Sequence, residues 1–309
     1  MRSNRPSRLP KLAWVALGST VLVSVWGAFV RATGSGAGCG SHWPLCDGAI
    51  FPEVASAATL IEFSHRVTSG LALLVVVALW VAVRRRTSPG ALARSAATAS
   101  LVFMLTEAAI GAGLVLLELV GDNTSVARAV VMGTHLINTF ALVGALTITA
   151  WALPSGQLRW IEGRTGGVLL VCAGALLLTN VSGAIAALGD TLFPARTLFE
   201  AWRQELSVTS NILIRLRLLH PVLAVSTAAA VAAGCASITR AAGGHTPFSR
   251  ALLGLLGLQL AAGTVNVLLL APTWLQLVHL LLANGVWVAF VLVAANTLSA
   301  PAGAQDRPS

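Results

Sequence analysis

The stretch "IEFSHRVTSGLALLVVVALWVAVRRR", residues 61–86, decides the fold. From Val67 to Val83 it carries no charge, and it ends in Arg84, Arg85 and Arg86. Together with the apolar residues from 58 onward it is long enough to cross hydrocarbon, which takes about 20 mostly apolar residues. Its other end places Glu62, His65 and Arg66 within five positions. Ionisable groups in a membrane helix are costly and mark function by default.

The rest of the chain agrees. Of 309 residues, 56% are hydrophobic and 10% charged, with mean hydropathy +0.82. Soluble domains carry about a quarter charged residues, so the composition is that of an integral membrane protein. Nineteen Arg against one Lys, with abundant Ala, Leu and Val, suggests a GC-rich bacterial genome. Eight candidate spans follow: 12–30, 58–83, 95–118, 127–152, 166–188, 212–238, 250–271 and 273–298. The basic N-terminus and the apolar run after it resemble a signal peptide. That run is long enough to span and ends without a small-x-small cleavage site, so it is expected to stay as the first helix.

Basic residues orient the spans. Arg2, Arg5, Arg8 and Lys11, then Arg84, Arg85, Arg86 and Arg94, then Arg159 and Arg164, then Arg240 and Arg250, and finally Arg307 all fall on one side. These are thirteen of the twenty basic residues, which places both termini in the cytoplasm of a bacterial plasma membrane. Orientation and lipid headgroups account for the net charge of +9 without a nucleic acid partner. The outer loops are 31–57, 119–126, 189–211 and a very short one at 271–273. The third is polar and suits a short surface helix.

The chain reads as a doubled unit. "VWGAFVRATGSG" (25–36) resembles "VSGAIAALGDTL" (181–192), pairing Gly27 with Gly183. "EAAIGAGLVLL" (107–117) resembles "QLAAGTVNVLL" (259–269), and His65 and His135 pair with His220 and His279. The expected fold is all-α, with eight transmembrane helices as two pseudo-symmetric four-helix bundles in parallel topology. The expected segments are a cytoplasmic 1–11, a bundle at 12–152, a linker at 153–165, a second bundle at 166–298 and a tail at 299–309.

Of six histidines, His42 and His245 lie in loops. His65, His135, His220 and His279 lie in spans two, four, six and eight, all running inward. Each is about 6–8 residues, or 9–12 Å, past the outer start. A neighbouring helix could satisfy one such residue; four at one depth, two per half, point to ligands. Paired imidazoles from separate helices suit bis-histidine haem better than zinc, which wants closer and mixed ligands. With no C-x-x-C-H, the haem would be non-covalent. Of the outer arginines, Arg66 and Arg217 are the candidates to pair with haem propionates, against simple interfacial snorkelling. Glu62 shares a helix face with His65 at i,i+3. The matching position before His220 is Arg217, so only the first half has a carboxylate for proton transfer. An i,i+4 ion pair with Arg66 is the plainer role for Glu62.

"E-F-S-H-R" in span two, "T-H-L" in four, "L-H-P" in six, "V-H-L" in eight and "C-x-S-H-W-P-L-C" in the first outer loop resemble haem A synthase over roughly residues 12–298. That resemblance implies an oxidoreductase acting on a CH group, which turns the C8 methyl of haem O into the formyl group of haem A by successive hydroxylations and loss of water. The product would serve haem-copper terminal oxidases. It further implies His65 and His135 as ligands of the substrate haem and Glu62 as the essential carboxylate. His220 and His279 would be the iron ligands of a resident haem b. Cys39 and Cys46 match the family's cysteine pair, as a disulfide or as two free thiols. The family's second pair in the third outer loop is missing, and Cys172 and Cys235 read as buried apolar residues. Glu107, paired with Gln259, is either a protonated, hydrogen-bonded carboxyl or a functional one. Expected partners are haem O, membrane lipid, an electron acceptor of unknown identity, haem O synthase and a second copy of the chain. The competing readings are a di-haem b-type electron-transfer protein, resembling a quinone oxidoreductase, and a repeat-built transporter.

Overall fold

The computed structural model describes residues 9–52, 56–154, 164–207, 209–241 and 243–299. Arg2, Arg5, Arg8, Arg159 and Arg307, on which part of the orientation argument rests, lie outside the described residues, as does the side chain of Arg164. The elements are α1 (Leu9–Ala32), α2 (Ala57–Arg86), α3 (Leu92–Leu116), α4 (Val126–Ala152), α5 (Arg164–Leu192), α6 (Leu198–Leu206), α7 (Ile212–Arg215), α8 (Leu219–Ala241), α9 (Pro247–Leu268) and α10 (Thr273–Thr297). Short 3-10 turns cover Ser35–Ala37 and Leu216–Leu218. Among the described residues there are eight helical stretches long and apolar enough to cross a membrane, and no strand beyond one isolated bridge. The all-helical, multi-pass reading of the sequence holds. The short surface helix expected in the third outer loop is α6.

Local chemistry sets the helix starts. The hydroxyls of Ser56, Ser125 and Thr246 accept hydrogen bonds from the N–H of Thr59, Arg128 and Ser249 at 3.1, 3.2 and 3.1 Å. Each satisfies a first-turn donor that the helix cannot. Pro247 follows Thr246 at the first helical position, where its missing N–H costs nothing.

The ends of α3 and α9 repeat one device. Glu118 (φ 54°) and Leu270 (φ 58°) both take the left-handed conformation. Leu119 N–H then donates to Leu114 O at 2.8 Å, and Ala271 N–H to Asn266 O at 2.7 Å. These caps stand at the same spacing as Glu107 and Gln259, so the internal likeness of the sequence extends to backbone geometry.

The sixth span differs from the unbroken helix expected over 212–238. It begins as α7, passes through the 3-10 turn at Leu216–Leu218 and resumes as α8. Pro221 explains the break. It has no N–H to give the carbonyl of Arg217 four residues back, and its ring crowds that carbonyl. The corresponding start of α2 has no proline and stays α-helical.

Packing centres on α4 and α10, the two most buried spans. Lipid is as apolar as a leucine side chain, so helices associate through close packing and polar contacts rather than through a hydrophobic force. The seam supplies both. Trp287 Nε1–H donates to Phe140 O at 2.7 Å, and the two rings meet edge to face with centroids 5.7 Å apart. Gly144 makes this approach feasible, since a Cβ there would lie 3.3 Å from Trp287 Nε1. Away from the seam the spans expose Leu22, Leu74, Val171 and Leu258, the apolar flanks that lipid covers. On α6, Leu198, Phe199, Trp202 and Leu206 are all exposed, as on a helix lying along the membrane interface.

Gly144→Val should overpack the α4–α10 seam and cost about 1–3 kcal/mol. Thermal unfolding in detergent, followed by loss of the monodisperse peak, should show a lower midpoint. An unchanged midpoint would mean the seam is looser than described.

Candidate functional site

Glu62 is 3% exposed, at the end of α2 farthest from Arg84–Arg86, and both of its oxygens accept hydrogen bonds. Its Oε2 accepts the N–H of Cys39 at 2.8 Å. Its Oε1 accepts Arg66 Nε at 3.1 Å and Nη2 at 2.5 Å. Arg66 Nη1 reaches on to His42 O at 2.7 Å and Leu45 O at 2.6 Å. Cys39 and Cys46 form a disulfide. The Glu62–Arg66 pair thus fastens the disulfide loop over the head of α2 with charge-assisted bonds, the stronger class of hydrogen bond. Gly38 lets the loop come this close, because a Cβ there would fall 2.5 Å from the backbone of Ala58.

His65 lies one turn further in. Its ring rests on the backbone of Gly27 in α1, where a Cβ would lie 3.0 Å from Cε1. Beside it, Trp26 Nε1–H donates to Ser64 Oγ at 3.2 Å, tying α1 to α2. The same relation recurs at the other three intramembrane histidines. His135 of α4 faces Gly111 of α3 at 3.8 Å, His220 of α8 faces Gly183 of α5 at 2.8 Å, and His279 of α10 faces Gly263 of α9 at 3.0 Å. Each distance is from the ring's Cε1 to a Cβ built on the glycine. Any larger residue at the three tight positions would displace the ring.

The rings of His220 and His279 face each other with centroids 6.3 Å apart and planes near perpendicular. Ser182 Oγ lies 3.0 Å from His220 Nδ1. Gln259 Nε2 lies 3.2 Å from His279 Nε2. In the first half, Glu107 Oε1 lies 3.6 Å from His135 Nδ1. The Nδ1 atoms of His65, His135 and His279 are buried without a hydrogen-bond partner.

These features fit paired imidazole ligation. A metal–imidazole bond of about 2.0–2.1 Å and a ring radius of ~1.1 Å put two rings across one ion at about 6.2–6.4 Å between centroids, which matches the His220–His279 pair. Among the described residues there is no cluster of three or more His, Cys, Asp or Glu able to hold a bare ion. Two facing imidazoles are a donor set that would suit a metal already held by other donors of its own, as in a haem.

The propionate candidates are both engaged by the protein. Arg66 is bound as above. Arg217 is buried, with Nε 3.2 Å from Asp190 Oδ1 and Nη2 donating to Gly189 O and to Phe193 O at 2.8 Å. Arg31, not singled out from the sequence, donates to Ala187 O, Thr191 Oγ1 and Gln276 Oε1 at 2.7, 2.6 and 2.8 Å, joining α1 to α5 and α10. The reading of the sequence also missed the four glycines as a set, together with Ser182 and Asp190. The paired repeats already aligned Gly27 with Gly183 and Gly111 with Gly263.

A sequence profile of the cytochrome oxidase assembly protein family (COX15-CtaA) matches residues 10–291. The chain is 46% identical over 302 residues to a Thermus thermophilus protein named "Protoheme IX farnesyltransferase", covering 96% of this chain and 50% of that protein. It is 33% identical over 193 residues to the "Heme A synthase" of Staphylococcus haemolyticus, covering 57% of this chain and 60% of the relative. It is 37% identical over 142 residues to that of Staphylococcus carnosus, covering 44% of each. The chain spans about half the length of the Thermus relatives it matches.

Arg66→Met should free the disulfide loop, because it removes the donors to His42 O and Leu45 O. Charge-assisted bonds contribute about 1.5–3 kcal/mol each, so amide exchange at residues 39–46 should rise at least about tenfold. Exchange at the wild-type rate would show that the loop is held by something else.

Proposed function

The chain belongs to the cytochrome oxidase assembly protein family, and from that premise we propose that it is a haem A synthase, converting the C8 methyl group of haem O to a formyl group. The observation that supports this reading is the four glycine–histidine pairs, two in each half, with Glu62 and Glu107 next to the histidines of the first half and Arg217 and Gln259 at the matching positions of the second. In this reading residues 12–152 and 166–298 are two pseudo-symmetric four-helix bundles of a multi-pass bacterial plasma-membrane protein with cytoplasmic termini. The repeated caps of α3 and α9 and the repeated glycine–histidine spacing support the duplication.

His65 and His135 hold the substrate haem, and His220 and His279 hold a resident haem b. Haem b, when bound, supplies one-electron redox chemistry to the second half. Ser182 fixes the orientation of His220 through Nδ1 and leaves Nε2 for iron. Glu62 sits one turn outward of His65, where its carboxylate can take and return a proton near the edge of the substrate. The disulfide loop strapped down by Arg66 covers that end of the site and limits water. With water as the oxygen source, each hydroxylation replaces a C–H bond with C–OH and releases two electrons and two protons, so this route needs a two-electron acceptor as partner. Arg66 and Arg217 are the cations we assign to the propionates; each already faces a carboxylate, so a propionate would join an existing charged cluster.

A relative twice as long that is named for haem farnesylation suggests the neighbour in the reaction sequence. A farnesyltransferase acting on protohaem makes the farnesylated haem this site would consume. We therefore place haem O synthase among its partners, with membrane lipid and a second copy of the chain. The alternative, a di-haem electron carrier, has no use for a carboxylate confined to one half.

Expression with a source of haem O, followed by haem extraction, tests the reading. The wild type should yield haem A or a hydroxylated haem O, and Glu62→Gln should lose at least about 100-fold of that conversion, the lower end for a general acid–base group. Unmodified haem in both samples would leave the electron carrier as the better account.

A further inference from the structure

Glu107 has no task in the chemistry above, yet it is a carboxylate inside a membrane span, where an idle one is costly. Its surroundings are built for it. Thr139 Oγ1 donates to its Oε1, and Asn138 Nδ2 donates to its Oε2 at 2.6 Å and to Phe103 O at 2.8 Å. Both donors lie one turn beyond His135 on α4, so the carboxylate is pinned beside that ring. The result is an Oε1 lying 3.6 Å from His135 Nδ1, a buried nitrogen with no hydrogen-bond partner.

The second half repeats the position with a different group. Gln259 stands where Glu107 does, facing His279. Its Oε1 and His279 Nδ1 are both buried and without partners, an acceptor and a donor in waiting. Gln259 Nε2 lies 3.2 Å from His279 Nε2, the nitrogen iron would take, so on haem binding the amide would have to leave Nε2 before its oxygen could accept Nδ1–H.

We propose that Glu107 is a positioning residue for His135. It accepts the ring's Nδ1–H when Nε2 binds iron, and Gln259 does the same for His279 as a neutral amide. This rests on the haem reading above. An imidazole hydrogen-bonded to a carboxylate is a stronger donor to its metal than one bonded to an amide. With haem bound, Glu107 would favour the ferric state at the first site more than Gln259 would at the second. One fold, doubled, gives two haem sites of unequal electron demand through a single Glu/Gln difference.

The test uses the full-length protein in lipid nanodiscs loaded with protohaem as the probe. Redox titration is followed by absorbance, and low-spin signals by electron paramagnetic resonance. His135→Ala and His279→Ala assign each haem to its half. Glu107→Gln, which retains an amide for Asn138 and Thr139, should shift the ferric-to-ferrous ratio of the first haem about tenfold toward ferrous. That is ~59 mV upward for one electron, with the second haem unmoved. Gln259→Glu should move the second haem the opposite way, and it reports independently if Glu107→Gln does not fold. Two bound haems with unmoved potentials and signals in both variants would overturn the proposal alone and leave Glu107 as a clamp between α3 and α4. A wild type that binds no haem would overturn the ligand reading and this proposal together.

Discussion

An imidazole inside a membrane helix needs room for its ring and a ligand or partner for its nitrogens. Here the facing residue on the preceding span is glycine each time, and at His65, His220 and His279 the approach is close enough to require it or nearly so. At Gly27, Gly183 and Gly263 a methyl group would fall 2.8–3.0 Å from the ring. At Gly183 a side chain is excluded, and at Gly27 and Gly263 the ring would have to give by a few tenths of an ångström, so helix packing and histidine placement depend on each other. The His220 and His279 rings, each seated against its glycine, lie with centroids 6.3 Å apart. The α4–α10 seam, through Trp287, Phe140 and Gly144, then joins the two halves.

On this repeated frame the differences carry the function. Glu62 and Arg217 occupy equivalent turns before a histidine. Each is buried, and each has taken a partner of opposite charge, Arg66 or Asp190. A lone charge at this depth would cost several kcal/mol, and pairing with hydrogen bonds offsets most of it. The first half therefore presents a carboxylate tied to a disulfide loop. The second presents a guanidinium tied to the carbonyls at the end of α5. Glu107 and Gln259 repeat the contrast one layer deeper.

Much of this was legible in the sequence. The number and class of spans follow from long uncharged runs ending in clusters such as Arg84–Arg86, because hydrocarbon imposes length and composition directly. The four histidines stood out because polar residues are rare at that depth. The partner of Arg217 was not legible, since Asp190 meets it only once α5 and the α7–α8 break are apposed. The break was readable in principle from "L-H-P", because Pro221 withholds a hydrogen bond from the residue four back. The continuous hydropathy of the span masks it. The glycines were visible as repeat matches, but a glycine in a chain rich in small residues declares no role until the side chain opposite it is known.

The most direct measurement is an electron cryomicroscopy map of the full-length protein saturated with haem O. The account predicts two planar densities, one bridged by His65 and His135 with Glu62 at its edge, the other bridged by His220 and His279. A map with haem bound away from these four histidines, or with one haem spanning the two halves, would contradict it.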